Sequence, residues 1–224
     1  MKKLIVFFLL IAFTKVSYTQ NLSYDSLLRE VKQQQVVLGN YYKKAVTVKS
    51  KDSIIACAQF YILRTIANNF FNHWYGTRWS FYGQTRIPKQ GSIACGYFVT
   101  TVLYDAGFKI PRVQWAQLAS EVFIKRFSTD IKRFRDEPIE NIKKYVADKS
   151  NGLYIVGLDC HVGFILKYNN TIQFIHSSYY NNGMGVVAQD LAGHNPLDDS
   201  HYVVIGKILD NKSIIQWLLQ AQIK

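Results

Sequence analysis

Apolar positions follow two different periodicities along the chain. In the first two thirds they recur at helical spacing, and from residue 152 onward they form short β-branched runs that are typical of strands. The predicted helices cover 24–38, 53–72, 95–107, parts of 116–127 and 138–147, and 213–222. The predicted strands cover 152–157, the two arms of a hairpin within 161–180, 185–188 and 202–208. Helices followed by a small, mostly antiparallel sheet predict an α+β fold.

Glycine, proline and acidic residues predict where several helices begin and end. Gly39 and Asn40 are expected to end the first helix, Asp52 to cap the second, and Gly107 to stop the helix that starts near Cys95. Pro138 fits the first turn of another helix. The most basic stretch, 125–144, mixes lysine and arginine with apolar residues and predicts basic amphipathic helices.

The hairpin fixes a register that brings two histidines together. Asn169 and Asn170 predict a two-residue turn, so that strand partners sum to 339 and Gly163 faces His176. His161 and His176 are then diagonal neighbours on one face, within reach of each other. Gly163 is expected to leave open space across from His176. The alternative interpretation is a pair of ordinary half-buried strand histidines.

Cys95 is the candidate nucleophile. The apolar stripe of 98–106 predicts a helix that packs on the core and holds Cys95 at its N-terminal end. The partial positive charge of that end is expected to lower the pKa of the thiol, so that Cys95 should alkylate fastest of the three cysteines. The backbone N–H of Cys95 is a candidate donor for an oxyanion.

The order Cys, His, His resembles that of the NlpC-like cell-wall cysteine endopeptidases, papain-like enzymes that cut peptide bonds in the peptidoglycan stem. Residues 94–99, Ala-Cys-Gly-Tyr-Phe-Val, agree at three of six positions with the family's Asp-Cys-Ser-Gly-Phe-Val. Residues 161–165 match its His-Val-Gly followed by two apolar residues, and 175–177 match its apolar-His-Ser. The resemblance covers about 70–208. The family's upstream aromatic and glycine segment has two candidates, 74–76 and 79–83.

The resemblance implies a papain-like fold with N-terminal helices packed on a small antiparallel sheet. It implies that Cys95 is the nucleophile, that His161 is the general base and later the acid, and that His176 orients His161. The expected organisation is a signal peptide at 1–19, a helical extension at 20–69 and a catalytic domain at 70–224. A helical insertion is expected at about 112–150.

The N-terminus and the charge indicate where the protein acts. Lys2 and Lys3, the apolar run 4–13, and the small residues Ser17 and Thr19 predict a cleaved signal peptide and a secreted or periplasmic product. Ten apolar residues are too few for a span of about 20, so no stable membrane insertion is expected. A net charge of +12 favours a peptidoglycan peptide or other anionic cell-wall polymer as partner, and export disfavours nucleic acid. The alternative is a merely solvated basic face.

The three cysteines leave one unpaired thiol at least. Cys57 and Cys160 are expected either to form a disulfide or to be two buried free thiols, and strand alternation predicts that Cys160 points away from the histidines. No Cys/His spacing indicates zinc, and no cofactor or metal is expected. His194 and His201 are expected to be structural or solvent-facing.

These features favour an exported cysteine peptidase or amidase acting on peptidoglycan stem peptides. One alternative is a papain-like amidase or transferase that uses the same Cys-His pair on another substrate. A third hypothesis, from a different class, is a non-catalytic wall-binding module of the same fold. Thiol reactivity separates the third hypothesis from the two enzymes.

Overall fold

A computed structural model of the 224-residue chain describes residues 23–180 and 184–223. The predicted signal peptide at 1–19 lies outside the described residues. Within the described ranges, no helix is both long enough and apolar enough to cross a bilayer.

A six-stranded antiparallel sheet forms the centre of the fold, and it confirms the α+β prediction. Its spatial order is β1-β6-β2-β3-β4-β5, and every neighbouring pair is antiparallel. The strands are β1 (Ile131–Arg135), β2 (Gly152–Gly157), β3 (Val162–Tyr168), β4 (Thr171–Ser178), β5 (Gly185–Gln189) and β6 (Tyr202–Lys207).

Helices precede the sheet, interrupt it and follow it. They are α1 (Tyr24–Lys44), α2 (Val48–Thr65), α3 (Phe71–Trp74), α4 (Cys95–Asp105), α5 (Arg112–Ala116), α6 (Ser120–Phe127), α7 (Ile139–Asp148) and α8 (Asn211–Leu218), with a π-helical turn at Ile66–Phe70. The helix that begins at Cys95 is therefore confirmed, and Gly107 follows it with a φ of 94°. Such a left-handed residue is a usual helix stop.

The predicted end of the first helix and the predicted cap of the second are wrong. Helix α1 continues through Gly39 to Lys44. The glycine instead allows a close approach, since an added Cβ would lie 2.4 Å from the Leu218 carbonyl oxygen in α8. Helix α2 begins at Val48, before Asp52, because Thr47 caps it by accepting a hydrogen bond from the Ser50 N–H at 3.1 Å. The local sequence does not show that Gly39 faces a distant helix, and the glycine therefore looks like a helix stop.

The stretch at 125–144 is not wholly helical, and the expected insertion at 112–150 contributes a strand. Residues 131–135 form the edge strand β1, which pairs with β6. Phe134 points inward, whereas Lys132 and Arg133 are exposed. Charged side chains are a common way to protect an edge strand from further pairing. The cations therefore lie on a sheet edge as well as on α6 and α7.

Apolar side chains cover both faces of the sheet. On one face, α4 packs against β3 and β4, and the ring centroids of Phe98 and Phe164 lie 6.0 Å apart. The other face packs Ile165 and Phe174 against a second cluster that includes Val146 of α7. The central strands are therefore packed on both faces, and the candidate site lies at their ends.

Candidate active site

The hairpin has the predicted register. Strand partners run from Phe164 opposite Ile175 to Tyr168 opposite Thr171. Asn169 and Asn170 have φ values of 50° and 63°, as a two-residue turn of this kind requires. The turn and the alternation of the strands thus determine which side chains share a face.

The two histidines are in direct contact, which confirms that they share one face. His161 Nε2 and His176 Nδ1 lie 2.8 Å apart, and the two residues are 5% and 0% exposed. The Phe174 ring stacks on His176 with centroids 4.0 Å apart and planes inclined by 12°. The second nitrogen of His176, Nε2, lies 2.7 Å from Gln189 Oε1. Both nitrogens of His176 are therefore engaged.

His161 Nδ1, by contrast, is buried and has no hydrogen-bond partner among the described residues. Burial, together with the neighbouring His176, lowers the pKa of His161 well below its usual 6.5. Burial also lowers the pKa of His176 to about 4, and the hydrogen bond with Gln189 opposes that shift. Both imidazoles are consequently neutral near pH 7. A buried polar nitrogen without a partner is uncommon and calls for an explanation.

Cys95 and His161 line the same cavity, whose volume is about 540 Å3. Burial raises the pKa of the Cys95 thiol, and the backbone amides of Val162, Gly96 and Cys95 itself oppose that rise. The backbone amides at the helix start therefore act to lower the pKa of Cys95, as predicted. Burial raises this pKa by more, so the predicted net lowering is wrong. The resting site pairs a neutral thiol with a neutral imidazole.

Gly96 owes its place beside Cys95 to packing. A Cβ at this position would lie 2.2 Å from the carbonyl oxygen of Ala116 in α5. Because no side chain fits there, α5 can approach the start of α4 and form one wall of the cavity. The difference from the serine of the family motif thus has a local structural reason.

The space predicted next to Gly163 is not open. A Cβ there would lie 2.7 Å from Phe174 Cε2, 2.8 Å from His176 Cβ and 3.0 Å from the Ile175 oxygen. The glycine instead allows His176 and Phe174 to pack tightly across the hairpin. This contact holds the His176 ring in place.

Two carboxylates, Glu121 and Asp159, also line the cavity. Hydrogen bonds from Lys125, Tyr202 and Arg133 lower the pKa of Glu121 to about 2. The Asp159 carboxylate accepts the N–H of His201 at 2.8 Å and that of Tyr202 at 3.1 Å. Asp159 therefore ties the turn before His161 to the start of β6.

All three cysteines are free, so the suggested Cys57–Cys160 disulfide is not formed. Cys57 and Cys160 are exposed, and the alternative of two buried thiols is also wrong. Cys160 precedes β3 and lines the cavity, so strand alternation does not turn it away from His161. It is a second thiol at the rim of the site.

Two further predictions concern metal ligands and the loop histidines His194 and His201. Over residues 23–180 and 184–223, no group of three or more His, Cys, Asp or Glu side chains is arranged to hold a metal ion. His201 Nδ1 lies 3.0 Å from Asp136 Oδ1 on the surface, and His194 is exposed beside Tyr180. The solvent-facing prediction for both is confirmed.

The segment 79–83 is the aromatic and glycine segment that lies beside Cys95. The Gly83 carbonyl accepts the Ala94 N–H at 2.8 Å, directly before Cys95. Trp79 lies 5.8 Å from the Tyr179 ring, which is 5.3 Å from the His161 ring. In the segment 74–76, Trp74 is instead buried in the core.

Sequence reasoning missed Gln189 and Tyr179. The predicted strand ends at residue 188, one residue short of Gln189, with which β5 ends. Tyr179 directly follows β4 and reaches His161 across the end of the hairpin.

Comparison of the chain with family models, curated proteins and solved structures finds no match.

Proposed function

We propose that Cys95, His161 and His176 form the catalytic triad of a papain-like cysteine hydrolase that cleaves amide bonds in peptidoglycan stem peptides. The observation that carries this proposal is His161 Nδ1, a buried nitrogen without a partner in a ring that shares a cavity with Cys95. A basic nitrogen beside a thiol is what activation of a cysteine nucleophile requires. His176, in contact with His161 Nε2, is the orienting group.

The reaction proceeds in two steps. His161 Nδ1 takes the thiol proton as the Cys95 sulfur attacks the carbonyl carbon, and the backbone N–H of Cys95 stabilises the resulting oxyanion. The C–N bond then breaks, and His161 returns the proton to the departing amine. In the second step, His161 takes a proton from water as the water oxygen attacks the thioester carbon. The C–S bond then breaks and releases the acid, and His161 returns the proton to the Cys95 sulfur.

A neutral resting pair suits this reaction. Because burial raises the pKa of Cys95 and lowers that of His161, the thiol keeps its proton until a substrate is in place. Proton transfer then accompanies attack, and the amides near the sulfur stabilise the negative charge as it develops. The site therefore avoids a persistent thiolate that oxidants would attack.

The substrate class rests on the resemblance and on the expected export. The cations of 125–144 favour an anionic polymer as the surface on which the enzyme works. Arg133 and Lys125 form ion pairs with Glu121, which lines the cavity, and their nitrogens lie 2.6 and 2.8 Å from its Oε1. We place the polymer on this basic face and the scissile peptide in the cavity.

The test is digestion of purified peptidoglycan and synthetic stem peptides by the chain without residues 1–19, followed by mass analysis of the fragments. We expect cleavage at an amide bond, and none with Cys95→Ala. If an added amine appears in the product, the activity is that of a transferase. Binding without any cleavage by the wild-type protein would support the wall-binding module and contradict the proposal.

A further inference from the structure

We infer that Gln189 is a positioning residue that sets the protonation pattern of both histidines and keeps His161 Nδ1 free to act as a base. The inference rests on the proposed function for its catalytic consequence. Its structural content, the tautomer of each ring, stands independently. Gln189 lies at the end of β5, 28 residues after His161 in the chain.

The register between β4 and β5 brings Gln189 to His176. His176 is opposite Val187 and Phe174 is opposite Gln189, so Gln189 lies on the histidine face, diagonal to His176. The side chain is half-buried, and its Oε1 lies 2.7 Å from His176 Nε2. Phe174 stacks on the same ring and restricts its rotation.

This contact determines the direction of the whole hydrogen-bond chain. An amide oxygen only accepts, so His176 Nε2 carries the proton. A neutral imidazole has one N–H, and His176 Nδ1 is therefore an acceptor. His161 Nε2, 2.8 Å away, must then donate to it, which leaves the lone pair on His161 Nδ1.

The reverse direction would produce an inactive site. If an N–H group faced His176 Nε2, each ring would move its proton to the other nitrogen. His161 Nδ1 would then be a buried N–H donor with no acceptor among the described residues, and it could not accept the Cys95 proton. A buried unpaired donor is costly, and an imidazole in the wrong tautomer is a poor base.

The first test measures tautomers in the resting protein, without any substrate. Nitrogen-15 NMR of the histidine rings at pH 7 should show N–H at Nε2 of both His161 and His176. Gln189→Met keeps the length of the side chain but removes the acceptor, and we expect mixed tautomers in both rings. The matched control is Gln173→Met, a half-buried glutamine of β4 that faces away from His176.

The second test measures kinetics on any substrate that the wild-type protein cleaves. Gln189→Met should lower kcat by about 10–100-fold with little change in KM, the range typical of a lost orienting partner. Gln189→Glu restores an acceptor and should recover most of kcat. Its carboxylate should also raise the pKa of His176, so that activity is lost at a higher pH as the solution is acidified.

The outcomes separate the inference from the proposed function. If Gln189→Met leaves both rings with N–H at Nε2, Gln189 does not set the tautomers, and the inference is overturned whether or not the protein is an enzyme. If the wild-type protein cleaves no amide but the tautomers change as expected, the inference holds and the proposed function fails. A loss of stability alone, with unchanged tautomers and pH profile, would assign Gln189 a purely structural role.

Discussion

His161 Nε2 and His176 Nδ1 lie 2.8 Å apart inside the protein, and the two rings differ in how many of their nitrogens have partners. His176 is fully buried and has both nitrogens engaged, so it can only orient its neighbour. His161 keeps one nitrogen without a partner and shares the cavity with Cys95. Of the two rings, only His161 has a nitrogen available for proton exchange with a group in the cavity.

Replacement of Cys95 by alanine should abolish hydrolysis and leave the fold intact. The substitution removes the attacking sulfur, so turnover should fall by about 10^4-fold or more. The free energy of unfolding should change by only about 1 kcal/mol, because one half-buried sulfur is lost. Turnover of a cleavable peptide and urea unfolding of the same preparation measure the two effects.

The other two thiols provide the control for Cys95. Cys57→Ala and Cys160→Ala should retain turnover within about twofold, since the proposed mechanism uses neither sulfur. Cys160 is the stricter control because it lines the same cavity. Loss of activity in Cys160→Ala, with normal activity in Cys95→Ala, would transfer the nucleophile to Cys160.

Alkylation should modify the exposed Cys57 and Cys160 before Cys95 at pH 7. Burial raises the pKa of Cys95, so its thiolate fraction is small near neutrality and its rate should increase up to and beyond pH 9. A short iodoacetamide pulse followed by peptide mass spectrometry measures the three rates. Faster modification of Cys95 at pH 7 would instead show a stabilised thiolate, as the helix position alone predicts.

The protein should lose stability as the pH falls from about 6.5 to below 4. Burial lowers the pKa of His176 from 6.5 to about 4, so the unfolded chain takes up a proton first and acid favours unfolding. The shift corresponds to roughly 3 kcal/mol, fully present above pH 6.5. His161 acts in the same direction. Urea unfolding at pH 7.5 and at pH 4 measures the loss.

The variant His176→Gln isolates this contribution. It should show a smaller loss between the two pH values than the wild-type protein, because glutamine takes up no proton. The exposed His201 is the matched control, and His201→Gln should keep the full acid response. Equal acid losses in wild type and His176→Gln would mean that His176 does not cause the acid destabilisation.

Local patterns were sufficient for the hairpin and for the start of α4. The Asn169-Asn170 turn and the strand period fix which side chains meet His176, and both signals lie within a few residues. The pKa of Cys95 was not predictable in this way, because burial depends on α5 and on the turn before β3 packing around the thiol. The contact of Gln189 with His176 depends on how β5 aligns with β4, which no local turn signal specifies. Strand β1 was missed because three cations in five residues resemble a solvated helix.

Gly163→Ala should destabilise the protein and impair turnover, and Gly163→Val should be worse, contrary to the open space that the register alone predicts. A Cβ at 163 would lie 2.8 Å from His176 Cβ and 2.7 Å from a Phe174 ring carbon, so the His176 ring must shift. We expect a cost of about 1–3 kcal/mol for alanine, typical of overpacking. Gly152→Ala is the control, since its Cβ would meet only the flexible Lys207 side chain at 3.2 Å and Tyr154 at 3.8 Å. Urea midpoints and turnover of the three variants test this, and a wild-type midpoint for Gly163→Ala would refute the tight contact with His176.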